Sequence, residues 1–195
     1  MTLSKPTLAA VLALCVTAAG CPDAETEDEG VRAEASILGV EVNENSEVEK
    51  YDLSGDGKAD VWKYFSKVSD AAPRIKARTD RDFNWDGKVD SRQHFDPNGV
   101  MVREELDLDF DGRFDAIDYF LDGKHYKREQ SFNFDAKPTI WKYYEDGQVV
   151  RKERDTNANG RADTFEFYEK GKLLRVGYDR DGDGKPDYFD QAGGT

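Results

Sequence analysis

A nine-residue segment rich in Asp, Asn and Gly recurs six times along this chain at intervals of 30, 25, 24, 24 and 24 residues, measured between copies of its sixth position. That position is glycine at 57, 87, 112, 160 and 184, and Ala136 stands there in a degraded copy. A short fixed period marks an array in which each unit packs mainly on its neighbours. Two strands of five or six residues, a tight turn and the acidic segment consume the whole period, so no helix fits. The expected fold is all-β: tandem antiparallel hairpins forming an extended twisted meander or solenoid. A propeller is disfavoured, because six hairpins would make only three blades.

Each acidic segment leads into a stretch whose alternate positions are mostly large and apolar: Trp62 and Tyr64, Ile117 and Tyr119, Trp141 and Tyr143, Phe165 and Phe167. Alternation of period two predicts strands with one buried face, so this stripe is expected to form the core. A second set, Phe65, Phe95, Phe120, Tyr144 and Tyr168, falls on the opposite face and is the better candidate for a ligand surface. Asn98-Gly99, Asp122-Gly123, Asp146-Gly147 and Lys170-Gly171 follow, dipeptides suited to two-residue hairpin turns. Return strands are expected over 100–106, 126–130, 149–154 and 173–178. In the first unit an insertion over 66–73 replaces the tight turn.

The complete copies read Asp52-x-Ser54-x-Asp56-Gly57-x-x-Asp60, Asp82-x-Asn84-x-Asp86-Gly87-x-x-Asp90, Asp107-x-Asp109-x-Asp111-Gly112-x-x-Asp115, Asp155-x-Asn157-x-Asn159-Gly160-x-x-Asp163 and Asp179-x-Asp181-x-Asp183-Gly184-x-x-Asp187. Oxygen-bearing side chains at alternate positions suit Ca2+, a hard cation that takes six to eight oxygens. Position 7 is Lys58, Lys88, Arg113, Arg161 or Lys185, which can offer only a backbone carbonyl, and an aspartate closes the loop at position 9. This form resembles the calcium loops of thrombospondin type 3 repeats and integrin-type β-propeller repeats. The hairpin around 141–149 is similar to the bacterial MORN-type repeat. The resemblance implies that positions 1, 3, 5 and 9 are ligands. The plainer alternative is an acidic turn, since Asp, Asn and Gly favour turns for backbone reasons alone. Five copies in one register favour calcium. The degraded copy over 131–139, with Ser131, Ala136 and Thr139 at key places, is expected to bind none.

The amino terminus reads as an export signal over 1–20: Lys5, then an apolar run over 8–19 too short to span a bilayer, then small residues before Cys21. Ala18-Ala19-Gly20-Cys21 resembles the bacterial lipobox, which implies lipid acylation of Cys21 and anchoring in a bilayer. An ordinary secretory signal is the alternative. Residues 21–46 lack aromatics and are acidic, so a flexible tether is expected there, with the repeat domain over 47–195.

The net charge of -13 disfavours nucleic acid as a partner. Without a second cysteine besides Cys15 of the leader, the mature domain has no disulfide. His94 and His125, the latter expected in a turn, suggest no zinc site. No nucleophile elbow or phosphate loop occurs, and the chain is expected not to be an enzyme. The expected role is a calcium-binding envelope lipoprotein, lipid-anchored and periplasmic or surface-exposed, with a structural or adhesive task and an unidentified protein or polysaccharide ligand. The alternative is a glycan-binding module.

Overall fold

A computed structural model describes residues 36–44, 46–66, 73–131 and 137–191, and among them the chain forms thirteen strands and no helix. The sheet belongs to a unit spanning Ala33–Thr195. The expected leader, Cys21, the first-unit insertion at 67–72 and most of the degraded loop at 132–136 lie outside the described residues.

The sheet opens with β1 (Ser36–Val42) and β2 (Ser46–Asp52). Strands running away from the acidic loops are β3 (Val61–Ser66), β5 (Ser91–Phe95), β7 (Ala116–Leu121), β9 (Ile140–Glu145), β11 (Thr164–Glu169) and β13 (Tyr188–Gln191). Strands returning to them are β4 (Ile75–Arg81), β6 (Met101–Leu106), β8 (Lys124–Gln130), β10 (Gln148–Arg154) and β12 (Lys172–Tyr178). Each strand pairs antiparallel with the next, and spatial order equals chain order from β1 to β13, so the sheet is one open meander. The tether expected over 21–46 is corrected in its second half, because β1 pairs with β2 from Ser36 onward.

Three turns are built as the dipeptides dictate. Asp122-Gly123, Asp146-Gly147 and Lys170-Gly171 all have positive φ, between 47° and 77°, the left-handed pair that matches strand twist. Asn98-Gly99 departs from that pattern: only Gly99 is left-handed, at φ 80°. Pro97 prefers the second place of a type I turn, Gly99 N–H donates to Asp96 O at 2.9 Å, and Asp96 N–H donates to Val100 O at 2.9 Å.

A second periodic device has no sequence signature. Every outgoing–return pair slips register once, so that Tyr64 faces Arg78 but Phe65 faces Lys76, and Tyr143 faces Arg151 but Tyr144 faces Val149. Such bulges re-aim the hairpin tip. They also correct the expectation for His125, which lies in β8 with its Nε2 2.8 Å from an Asp118 oxygen.

The register confirms that the first aromatic set shares a face, but not that it forms an apolar core. One cross-strand row reads Glu105, Ile117, Glu129, Trp141, Glu153, Phe165, and the next row on the same face reads Arg103, Tyr119, Lys127, Tyr143, Arg151, Phe167. The return strands thus interleave acids and bases between the rings. Arg151 lies 4.0 Å over the Tyr143 ring and pairs with Glu153 at 3.0 Å; Arg78 lies 3.7 Å over Tyr64 and pairs with Asp80 at 3.0 Å. These contacts cover ring faces that no second sheet covers. Among the described residues the buried apolar side chains are only Val61, Ala116 and Phe165, whereas nine aspartates are buried, seven of them at the two ends of the acidic loops.

Candidate metal centres

The five complete acidic loops lie at one end of the sheet, opposite the hairpin turns, because each joins a return strand to the next outgoing strand. Position 1 is the anchor. One oxygen of Asp52, Asp82, Asp107 and Asp179 accepts the N–H of position 4 at 2.6–2.8 Å, and the other accepts the N–H of the position 6 glycine at 2.6–2.9 Å. Asp155 holds Gly160 N–H at 2.7 Å and Asn159 N–H at 3.2 Å. To aim these amides inward, positions 4 and 6 both take positive φ. Position 6 is always glycine, but position 4 is Gly55, Trp85, Phe110, Ala158 or Gly182, all at φ 60–82°. Sequence reasoning missed this second left-handed position, since Trp and Phe give no sign of it.

Positions 3 and 5 continue the same pattern. Asn84, Asp109, Asn157 and Asp181 accept the N–H two residues on at 3.0–3.2 Å, and Ser54 does so at 3.4 Å. Asp56, Asp86, Asp111, Asn159 and Asp183 accept the position 7 N–H at 2.8–2.9 Å. Position 9 closes the loop: Asp60, Asp90, Asp115, Asp163 and Asp187 each accept the position 2 N–H through Oδ2, at 2.6–3.0 Å. The side chains therefore template the loop as an Asx-type turn does, and retain lone pairs for a cation.

Two loops gather three carboxylates whose oxygens lie within 4.8 Å of one another: Asp107, Asp109 and Asp115, and Asp179, Asp181 and Asp187. These clusters can hold a metal ion. Position 5 belongs to neither cluster. Asp56, Asp86 and Asp183 instead approach Lys58, Lys88 and Lys185 at 3.6–3.8 Å, and Asp111 pairs with Arg113. The position 7 side chains do more than their carbonyls were expected to do: Lys88 Nζ donates to Asp111 O at 3.3 Å and Arg161 Nη1 to Gly182 O at 2.8 Å, each reaching the next loop.

The electrostatics differ between the two ends of a loop. The amides of Gly55 and Gly57 hold the Asp52 carboxyl below its ordinary range. Burial pushes Asp115 up, and the nearby Asp109 and Asp107 charges add to that. Oδ1 of Asp115 and of Asp90 is buried without a hydrogen-bond partner. An orphaned carboxylate oxygen beside other carboxylates is the donor set a divalent cation satisfies.

Backbone bonds chain the loops together. Asp60 N–H donates to Tyr51 O at 2.8 Å while Asp60 O accepts Asp82 N–H at 2.8 Å, and the same relay runs through Asp90, Asp115, Thr139 and Asp163 to Asp179. It passes through the degraded unit without interruption.

No protein family and no curated protein matches this sequence. Solved structures that this chain matches weakly include a TarM mutant of S. aureus in complex with Fondaparinux, alpha-GlcNAc-glycerol and UDP (16% identity, TM-score 0.32, 59% of this chain and 19% of that one). Accessory secretory protein 1, 2 and 3 of Streptococcus pneumoniae gives 16% identity and a TM-score of 0.31, covering 73% of this chain and 23% of that one. The GtfA/B complex gives 17% and 0.22, covering 73% and 21%. This chain thus spans about a fifth of the length of each. The expectation that this chain is not an enzyme is withdrawn. At these TM-scores the likeness transfers no activity to this chain.

Proposed function

We propose that this chain is a calcium-binding repeat lipoprotein of the bacterial envelope, anchored in a bilayer through acylated Cys21, in which cations brace a sheet that presents a long structural or adhesive surface. The observation supporting it most is the buried, unpartnered Oδ1 of Asp90 and Asp115, in loops that otherwise satisfy their polar groups. Positions 1, 3 and 9 are the ligands. Position 5 joins them when the cation displaces its lysine or arginine partner. A sheet with so few buried apolar residues gains from ions that bind only its folded state. Extracellular calcium modules bind at about 10⁻⁴ to 10⁻³ M, so scanning calorimetry in millimolar calcium and then in excess chelator is the test. The melting temperature falls in chelator; a superimposable pair of scans refutes the proposal.

A second reading, glycan binding, is favoured by one depression on the face opposite the aromatic stripe, lined by Lys142, Tyr144, Gln148, Val149, Lys152, Tyr168 and Gly171. Tyr144 and Tyr168 supply rings for sugar stacking. The His125 ring packs against both Phe120 and Tyr144, with centroids 5.2 and 4.1 Å apart. A glycan array separates the readings: loss of a binding signal on Tyr144→Ala supports this one, and a blank array removes it.

A further inference from the structure

The loops of the first three units differ from the last two in what they display. Positions 2 and 4 there hold Leu53, Phe83, Trp85, Leu108 and Phe110, all exposed, with Trp85 at 60% and Phe83 at 53%. In the last two loops the same positions are Thr156, Ala158, Arg180 and Gly182. Packing does not explain the large residues, since they cover no core. Local geometry opposes two of them: Trp85 and Phe110 sit at φ 63° and 64°, where Gly55 and Gly182 serve without strain. Bulky rings kept exposed at a conformational cost point to something outside the chain.

The charge around these tips selects the partner. Exposed Lys58, Lys88 and Arg113 stand beside them, each now engaged with the position 5 carboxylate of its own loop. A divalent cation in each loop would offset two of its three or four carboxylate charges and compete with the base for the position 5 oxygens. The edge would then present apolar and aromatic tips among three bound cations and three bases that nearly balance the loop carboxylates, on loops spaced two strands, about 10 Å, apart. That combination suits the head-group region of an anionic bilayer, where Trp and Phe bury their rings and Lys and Arg meet phosphates.

We infer that the loop edge of the first three units docks on an anionic phospholipid bilayer, inserting Phe83, Trp85 and Phe110 when divalent cations fill the loops. This rests on the cation-binding proposal and adds a second membrane contact, distinct from any lipid on Cys21. The test uses the full chain carrying Trp62→Phe and Trp141→Phe, so that Trp85 is its sole tryptophan and is excited selectively. It is mixed with phosphatidylcholine–phosphatidylserine vesicles whose acyl chains carry bromine, a short-range quencher. Calcium is expected to quench Trp85 and chelator to restore it, with Phe83→Ser/Phe110→Ser weakening partition by about tenfold or more. Quenching depends on where Trp85 sits, so an apolar leader in the bilayer does not mimic it. Calcium titration calorimetry without vesicles separates the failures: heat of binding without quenching overturns docking alone, and no heat overturns the cation proposal and docking with it. Equal quenching in chelator overturns the cation gating. If the two Trp replacements disturb the β circular-dichroism signal, comparing the unsubstituted chain with Trp85→Phe gives the same readout, and quenching that survives Trp85→Phe overturns the inference.

Discussion

Asp115→Asn separates the two tasks of a closing aspartate. Asn is isosteric, so one carboxamide oxygen still accepts the Leu108 N–H, now bound at 3.0 Å by Oδ2. Its amide group replaces the buried, partnerless Oδ1 and can donate toward Asp107 and Asp109, which cluster with it. Exchanging an orphaned buried acceptor for a paired donor stabilises by about 1–2 kcal/mol, and one like charge disappears from the cluster. In chelator the variant is therefore expected to be more stable than the parent. With calcium the order reverses. An ion at a hundredfold excess over its Kd contributes about 2.7 kcal/mol, and the variant forgoes this at that loop. The assay is urea unfolding followed by circular dichroism in chelator and in calcium, with titration calorimetry counting ions. A variant less stable than the parent in chelator, or one that retains the full calcium increment, refutes the assignment of Asp115 as a ligand held in reserve.

Gly177→Ala places a Cβ 2.7 Å from that of Pro186 and 2.8 Å from a Phe189 ring carbon, so β13 is expected to loosen by about 1–3 kcal/mol; unchanged amide exchange over 187–191 contradicts this. Trp85→Gly removes left-handed strain but adds freedom to the unfolded chain, for a net gain of about 0.5–1 kcal/mol in chelator; a loss of stability there shows that the ring packs usefully within the chain. Burial and the hydrogen bond to Glu166 raise the Tyr168 phenol to about 12. A raised folded value means this contribution is complete below the ordinary tyrosine range near 10 and is lost as pH rises through about 12; phenolate absorbance of the parent minus Tyr168→Phe checks it, and ionisation near 10 contradicts it.

What the sequence made legible was the part set by local chemistry. The dipeptide Asp146-Gly147 can make few turns, and Trp141 and Tyr143 two apart can share only one face. Three features were hidden because neighbours decide them. Residues 36–42 look like tether, being poor in aromatics, yet β2 supplies a partner strand and β1 forms. The aromatic stripe reads as core in one dimension, but the register sets Glu129 and Glu153 on either side of Trp141. In the loops, the D-x-D spacing is the same for Asp109 and Asp111, while the structure clusters the first with its fellow carboxylates and gives the second to Arg113. A ligand pattern fixes which oxygens are present, not where neighbouring bases pull them.

The relay of backbone bonds from the end of one loop to the start of the next bears on how this protein yields to force. β1 and β13 are opposite edges of one sheet, so tension between the two ends meets the strands one at a time. Each unit that peels away frees about 24 residues, roughly 80 Å of extended chain, while the remainder keeps its pairing. A protein with this construction lengthens in steps and can re-form hairpin by hairpin when slack returns.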